Sequence, residues 1–168
     1  MALAVGANLG DRAQTLRAAV AEIGAAHGVA LVAVSPVYET DPVGGPADQP
    51  PYLNAVLVAD STLDPAALLA LARSVEDAHG RVRVERWGAR TLDVDVLAVD
   101  ALTSDDPVLT LPHPRAHERA YVLAPWADVD PDFAVPGRGR VRDLLAALPA
   151  ADRSGVRPTG LRLAEVRR

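Results

Sequence analysis

Thr91-Leu92-Asp93-Val94-Asp95-Val96-Leu97 alternates acidic and apolar side chains with a period of two. That period belongs to a strand with one dry face and one wet face, and it predicts a β-strand over residues 91–99. Leu92, Val94 and Val96 point to one side and Asp93 and Asp95 to the other. Working outward, Asp64-Pro65 opens the preceding helix, with Pro at its first position and Leu68, Leu71, Ala72 and Val75 as its buried stripe. Gly80 closes it, and the charged, aperiodic residues 81–89 read as a loop.

Further upstream lie a long strand over residues 52–59 and a loop over 41–51 with four prolines and two glycines. Residues 29–39, rich in β-branched side chains, read as a strand in which Ser35-Pro36 marks an edge or a bulge. At the start, residues 3–5 form a short apolar strand running into Gly6-Ala7-Asn8-Leu9-Gly10. Asp11 then caps a helix whose Leu16, Ala19, Val20 and Ile23 recur at helical spacing and which ends near Gly24 or Gly28.

The order β-α-β-β-α-β predicts an α+β, ferredoxin-like sandwich, a mainly antiparallel sheet with helices packed on one face. At 168 residues the chain fits one domain, residues 1–168. Downstream, the pattern predicts a short strand over 109–111 and a helical turn over 115–123 followed by a Pro/Asp-rich connection. A short helix over 141–148 and a last strand over 161–166 lie in or near a tail, 150–168, of undetermined role.

Composition narrows the function. No stretch approaches the roughly 18–20 uninterrupted apolar residues of a membrane span. The N-terminus has no basic region ahead of an apolar run, and so does not read as a signal peptide. With no cysteine, disulfides and thiolate metal sites are excluded, and a cytoplasmic location is the default expectation. A net charge of −5 argues against a general nucleic-acid binder. All 17 basic residues are arginines, so any phosphate would be met by planar guanidinium forks.

Asp93 and Asp95, with Cα atoms about 6.6 Å apart in a strand, can converge on Mg²⁺ or on a two-metal cluster. Taken alone, the pair reads equally as the exposed face of an antiparallel strand. Arg81, Arg83, Arg86 and Arg90 precede it within ten residues. Carboxylates beside guanidiniums describe a triphosphate site, where metal bridges phosphate oxygens and arginine offsets charge; a solvated charged loop is the other reading. Trp87 is an unusual residue for such a loop, since large aromatics usually bury. Gly6–Gly10 has neither P-loop nor dinucleotide spacing and reads as a turn. His113, held between Pro112 and Pro114 and followed by Arg115 and Arg119, is placed to contact phosphate or is incidental.

Five segments in this order resemble the 6-hydroxymethyl-7,8-dihydropterin pyrophosphokinase family. They are Gly6-Ala-Asn-Leu-Gly-Asp-Arg12; Ser35-Pro-Val-Tyr-Glu-Thr-Asp-Pro-Val-Gly44 with Asp48-Gln-Pro-Pro-Tyr-Leu-Asn54; Gly80-Arg-Val-Arg83; Arg86-Trp-Gly-Ala-Arg-Thr-Leu-Asp-Val-Asp95; and Leu111-Pro-His-Pro-Arg115 through Glu118-Arg-Ala-Tyr-Val-Leu-Ala-Pro125. The resemblance implies a single pyrophosphokinase domain that passes pyrophosphate from ATP to the hydroxymethyl group of the pterin, releasing AMP, in folate biosynthesis. It makes Asp93 and Asp95 ligands of two Mg²⁺ ions and, with Arg81 and Arg90, the catalytic set. Glu76, Arg83, Arg90, Thr110, His113 and Arg119 are implied at ATP. Tyr52 and Tyr121 would sandwich the pterin, Asn54 would bond its edge beside Thr40 and Val43, and Trp87 would close over both substrates. Monomeric action, without nucleic acid or membrane, is expected.

The chain departs from the family pattern at Ala7, where Ser is usual, and at an extra glycine in Gly44-Gly45. Tyr121 stands where Phe is common, and the loop from Arg81 to Arg86 is one residue shorter and carries no lysine. Two other classes compete. A metal-dependent phosphoesterase would use the same aspartates with water as nucleophile, but needs no pair such as Tyr52 and Tyr121. An RNA-binding module can present aromatics on such a sheet, yet Asp93 and Asp95 would repel a phosphate backbone.

Overall fold

The structure, a computed structural model, describes residues 1–42, 49–80 and 90–164. Five strands, β1 (Ala2–Ala7), β2 (Val29–Val34), β3 (Tyr38–Thr40), β4 (Tyr52–Ser61) and β5 (Asp93–Ala98), alternate with helices α1 (Arg12–Ala25) and α2 (Pro65–Ala78). Past β5 come a 3₁₀ turn (Ala116–Glu118), α3 (Ala120–Val129), a hairpin of β6 (Ala134–Val135) and β7 (Gly139–Arg140), α4 (Val141–Ala147), α5 (Ala150–Ser154) and β8 (Val156–Pro158). Strand order is β5-β1-β4-β3-β8, with β2 also on β4, and every pairing is antiparallel.

Both leading helices start where the side chains dictate. Asp11 accepts from the Gln14 N–H at 3.0 Å and Asp64 from the Ala67 N–H at 2.8 Å, each satisfying an orphan donor of the first turn. In β1, Leu3, Val5 and Ala7 enter one core with Leu16, Ala19, Val20 and Ile23 of α1 and Leu68, Ala72 and Val75 of α2. Ala2 belongs to a second core with Val56, Leu97, Val122, Leu123 and Trp126. Helices therefore cover both faces of the sheet, where the sequence predicts one.

The predicted strand over 29–39 is two strands. Ser35-Pro36-Val37 interrupts it, yet Ser35 keeps the seam closed: its N–H donates to Val56 O at 2.9 Å, and its Oγ accepts from Val56 N–H at 2.9 Å. Residues 109–111 are no strand. Leu111 makes only an isolated bridge with Ser104. The helix expected to end at 123 runs through Pro125 to Val129, because Leu123, Pro125 and Trp126 are all buried on its core side and packing outweighs one missing N–H.

The last strand also moves. It lies at Val156–Pro158 rather than over 161–166, and pairs Val156 with Thr40 and Arg157 with Glu39. Leu163 is buried in the first core instead, and residues 165–168 are outside those described. Among the described residues, no helix is long and apolar enough to cross a membrane.

Candidate active site

The alternation in β5 and its register against β1 and β4 build one continuous polar floor. Asp93 pairs with Gly6 and Asp95 with Ala4; across β1, Gly6 pairs with Asn54 and Ala4 with Val56. Asn54 in turn pairs with Tyr38, and Tyr52 with Thr40. Since paired residues share a face, Asp93, Asp95, Asn54, Tyr52 and Thr40 all lie on the side of the sheet that carries the second core, at the end that α3 leaves open. Val94 and Val96 turn to the opposite core.

Asp93 and Asp95 are partly exposed, with side-chain exposures of 24% and 38%. Arg90 Nη1 donates to Asp93 Oδ2 at 2.7 Å. Burial works against the Arg90 charge, but Asp93, with Tyr52 and Asp95 behind it, outweighs burial and holds the guanidinium above its ordinary pKa. His113 reaches the same place because its N–H donates to Leu97 O at 2.8 Å, hanging its loop on the end of β5. The Arg115 N–H donates to His113 Nδ1 at 3.2 Å, so the neutral ring carries its proton on Nε2, which lies 3.9 Å from Asp95 Oδ2. Burial, seconded by the Arg119 charge and opposed by Asp93, pushes His113 down to about 4. At neutral pH it is an uncharged N–H donor aimed at the carboxylates.

Tyr121, at the start of α3, is half-buried beside these groups. Burial raises its phenol against the Arg119 charge, and the carboxylates of Asp95 and Asp93 raise it further. The Arg119 guanidinium stands 5.6 Å from the Tyr121 ring centroid. Tyr38 Oη donates to Asp128 Oδ2 at 2.7 Å, which ties β3 to α3 over the floor. At the far side, Asn54 Nδ2 donates to Thr40 Oγ1 at 2.8 Å, both residues being buried.

A family model described as 7,8-dihydro-6-hydroxymethylpterin-pyrophosphokinase (HPPK) matches residues 2–131. The chain belongs to the HPPK family. A 2-amino-4-hydroxy-6-hydroxymethyldihydropteridine pyrophosphokinase of Mycobacterium bovis is 49% identical over 168 residues, covering 92% of this chain and 87% of that protein. The enzyme of the same name from Methylorubrum extorquens is 44% identical over 154 residues, covering 92% and 94%. A wild-type Plasmodium falciparum HPPK-DHPS chain shares the fold, with a TM-score of 0.65 at 13% identity, over 86% of this chain. This chain spans only 41% of that longer one.

HPPK enzymes use ATP, generally with Mg²⁺, and the donor set here fits such an ion. Among the described residues no group of three or more His, Cys, Asp or Glu is arranged as a metal cage. Two hard carboxylates on one strand face are what Mg²⁺ takes when phosphate oxygens and water complete its shell. Arg90, Asp93, Asp95, His113, Arg119 and Tyr121 come together, with Asn54, Thr40 and Tyr52 farther along the floor. Thr110 stands three residues ahead of His113 with its hydroxyl on Asp106 O at 3.1 Å. Arg81, Arg83, Trp87 and Val43 lie outside the described residues.

Glu76 sits on the other side of β5. Only 4% exposed, it accepts from the Val94 N–H at 2.8 Å on the outer side of β5, where β5 has no neighbouring strand among the described residues. The candidate site of this HPPK-family chain is also braced by residues that the sequence pattern does not single out. Asn8, 1% exposed, accepts the Arg90 N–H at 2.8 Å and donates to Pro50 O at 3.2 Å, so it seats Arg90 against β1. Arg12 Nη1 donates to Pro51 O at 2.6 Å, just ahead of Tyr52. Asn8 lies in the Gly6–Gly10 turn, and a buried amide there has no mark in a single sequence.

Proposed function

We propose that this chain transfers the terminal diphosphate of ATP to the hydroxymethyl group of 6-hydroxymethyl-7,8-dihydropterin, releasing AMP, as a step of folate biosynthesis. The observation that carries the reading is the shared floor: Asp93 and Asp95, flanked by Arg90 and His113, face the same side as Asn54 and Thr40 in a chain of the HPPK family. One end suits a polyphosphate with its cation, the other a flat polar heterocycle.

In this reading Asp93 and Asp95 would hold two Mg²⁺ ions, which would supply positive charge to offset that of the polyphosphate. Arg90 and Arg119 add positive charge, the His113 Nε2–H donates one hydrogen bond to a phosphate oxygen, and Thr110 completes the nucleotide side, while Glu76, buried against the Val94 N–H, supports β5 from behind rather than meeting ATP. Tyr52 and Tyr121 stack on the pterin, while Asn54, steadied by Thr40, bonds its edge.

The hydroxymethyl oxygen attacks the β-phosphorus in line. The bond from that phosphorus to the oxygen bridging it to the α-phosphate breaks, and AMP leaves with that oxygen. The hydroxyl proton passes to Asp95. Holding both substrates on one rigid sheet face converts a two-molecule encounter into a positioned one.

The test is incubation with Mg-ATP and hydroxymethyl-dihydropterin, read by mass spectrometry. Diphosphorylated pterin and AMP should appear together, and AMP only when pterin is present. Substantial phosphate release without pterin would sink the reading in favour of a phosphoesterase.

A further inference from the structure

The HPPK family model matches only as far as residue 131, yet the chain beyond it returns to the site. Strand β8 pairs with β3, setting Val156 opposite Thr40 and Arg157 opposite Glu39. Arg157 then forks onto the next carboxylate: Nη1 to Asp41 Oδ2 at 3.1 Å and Nη2 to Asp41 Oδ1 at 2.9 Å. Its Nη2 also lies 3.6 Å from Glu39 Oε1, and Glu39 Oε2 takes Arg12 Nη1 at 3.3 Å. With Arg12 on Pro51 O, the network joins the tail to both segments flanking residues 43–48.

A cavity of about 500 Å³ opens at this place. One wall is Thr40 and Pro42, another is Arg119 and Tyr121, and the third is Ala151 and Val156 of the tail. The fork holds Asp41 below the usual carboxylate range and Arg157 above its own. Isolated surface ion pairs contribute little, but a bidentate guanidinium–carboxylate pair fixes geometry as well as charge.

We propose that tail residues 150–158 are part of the pterin subsite, and that Arg157 is a positioning residue which, through Asp41, holds the Thr40–Pro42 wall at its working distance from Tyr121. The inference rests on the function proposed above. It assigns the tail to substrate binding because its strand pairing and ion pairs fall on Tyr38, Glu39, Thr40 and Asp41, with none on Asp93 or Asp95 among the described residues.

Steady-state kinetics of the full chain test it, with each substrate varied against saturating amounts of the other, in wild type, Arg157→Ala, Arg157→Gln and Arg157→Lys. The alanine and glutamine variants should raise the KM for pterin about three- to tenfold, with kcat and the KM for Mg-ATP unchanged. Lysine, a point charge without the fork, should recover part of the loss. An unchanged pterin KM in both Ala and Gln variants overturns the inference alone, as does a parallel loss of kcat and both KM values with a falling Tm. A wild type that forms no AMP from pterin and Mg-ATP overturns the proposed function, and this inference with it.

Discussion

Gly6→Ala should reverse the sign of its effect when Asn54 is removed. Gly6 faces Asn54 across the β1–β4 pair, and a Cβ built on Gly6 would lie 2.7 Å from Asn54 Oδ1, with Leu53 O no nearer than 3.8 Å. The collision is thus with one buried amide, and relieving it breaks the 2.8 Å bond from Asn54 Nδ2 to Thr40 Oγ1. Losing a buried hydrogen bond costs about 1–3 kcal/mol, while Ala in a strand gains about 0.5–1 kcal/mol over Gly in backbone entropy. The single variant should therefore lose about 1 kcal/mol, a fall in Tm of roughly 2–4 °C for a chain of this size. In an Asn54→Ala background no amide stands in the way, and the same change should raise Tm by roughly 1–3 °C. Thermal denaturation of the four proteins in the cycle measures this. An equal decrease in both backgrounds would refute the close approach, and kinetics on the single variant should show a raised KM for pterin with kcat little changed.

Asp95→Ala should lower kcat by about 10²–10³-fold, since it removes charge stabilisation at the phosphates, and should leave Tm no lower than wild type; turnover retained within tenfold would remove Asp95 from the chemistry. Chelation of divalent metal with EDTA should stop AMP formation, and Mg²⁺ should restore it. Glu76→Ala should cost about 1–3 kcal/mol by stranding the buried Val94 N–H, whereas Glu76→Gln keeps an acceptor and should stay near wild type; equal Tm values for both would show that this bond is not structural. In metal-free protein, His113 gives a pH signature. Its folded pKa of about 4 lies below the ordinary 6.5, so between those values the unfolded chain binds more protons. The associated stability is present above pH 6.5 and lost as pH falls towards 4, by about 3 kcal/mol. Denaturant titrations of wild type and His113→Asn should diverge in that window, and parallel curves would contradict the buried, neutral ring.

Periodicity carried much of this architecture. The dyad repeat of Leu92 to Leu97 reads directly as a strand with two carboxylates on one face, and the structure has them there. The apolar stripes of α1 and α2 and their capping aspartates are equally visible, because caps and stripes are local. What local pattern misled was packing. Pro125 marks a helix end in sequence, but the burial of Leu123 and Trp126 carries α3 through it. Leu161 and Leu163 look like strand residues; Leu163 instead closes a core, while the plain sequence Val156-Arg157-Pro158 takes the sheet edge.

The candidate site divides along the same line. Residue identity and spacing, read on the chain alone, determined that Asp93 and Asp95 point the same way, that arginines must meet any phosphate, and which family pattern the segments follow. Only the tertiary structure decided that Glu76 completes the edge of β5, that Asn8 seats Arg90, that His113 is neutral with its proton on Nε2, and that Arg157 reaches Asp41. The Glu76, Asn8 and Arg157 contacts join residues 18 to 116 positions apart in the chain, and the neutral state of His113 depends on how much water the fold removes from its ring. Neither distance across the fold nor desolvation is encoded in the order of neighbouring residues.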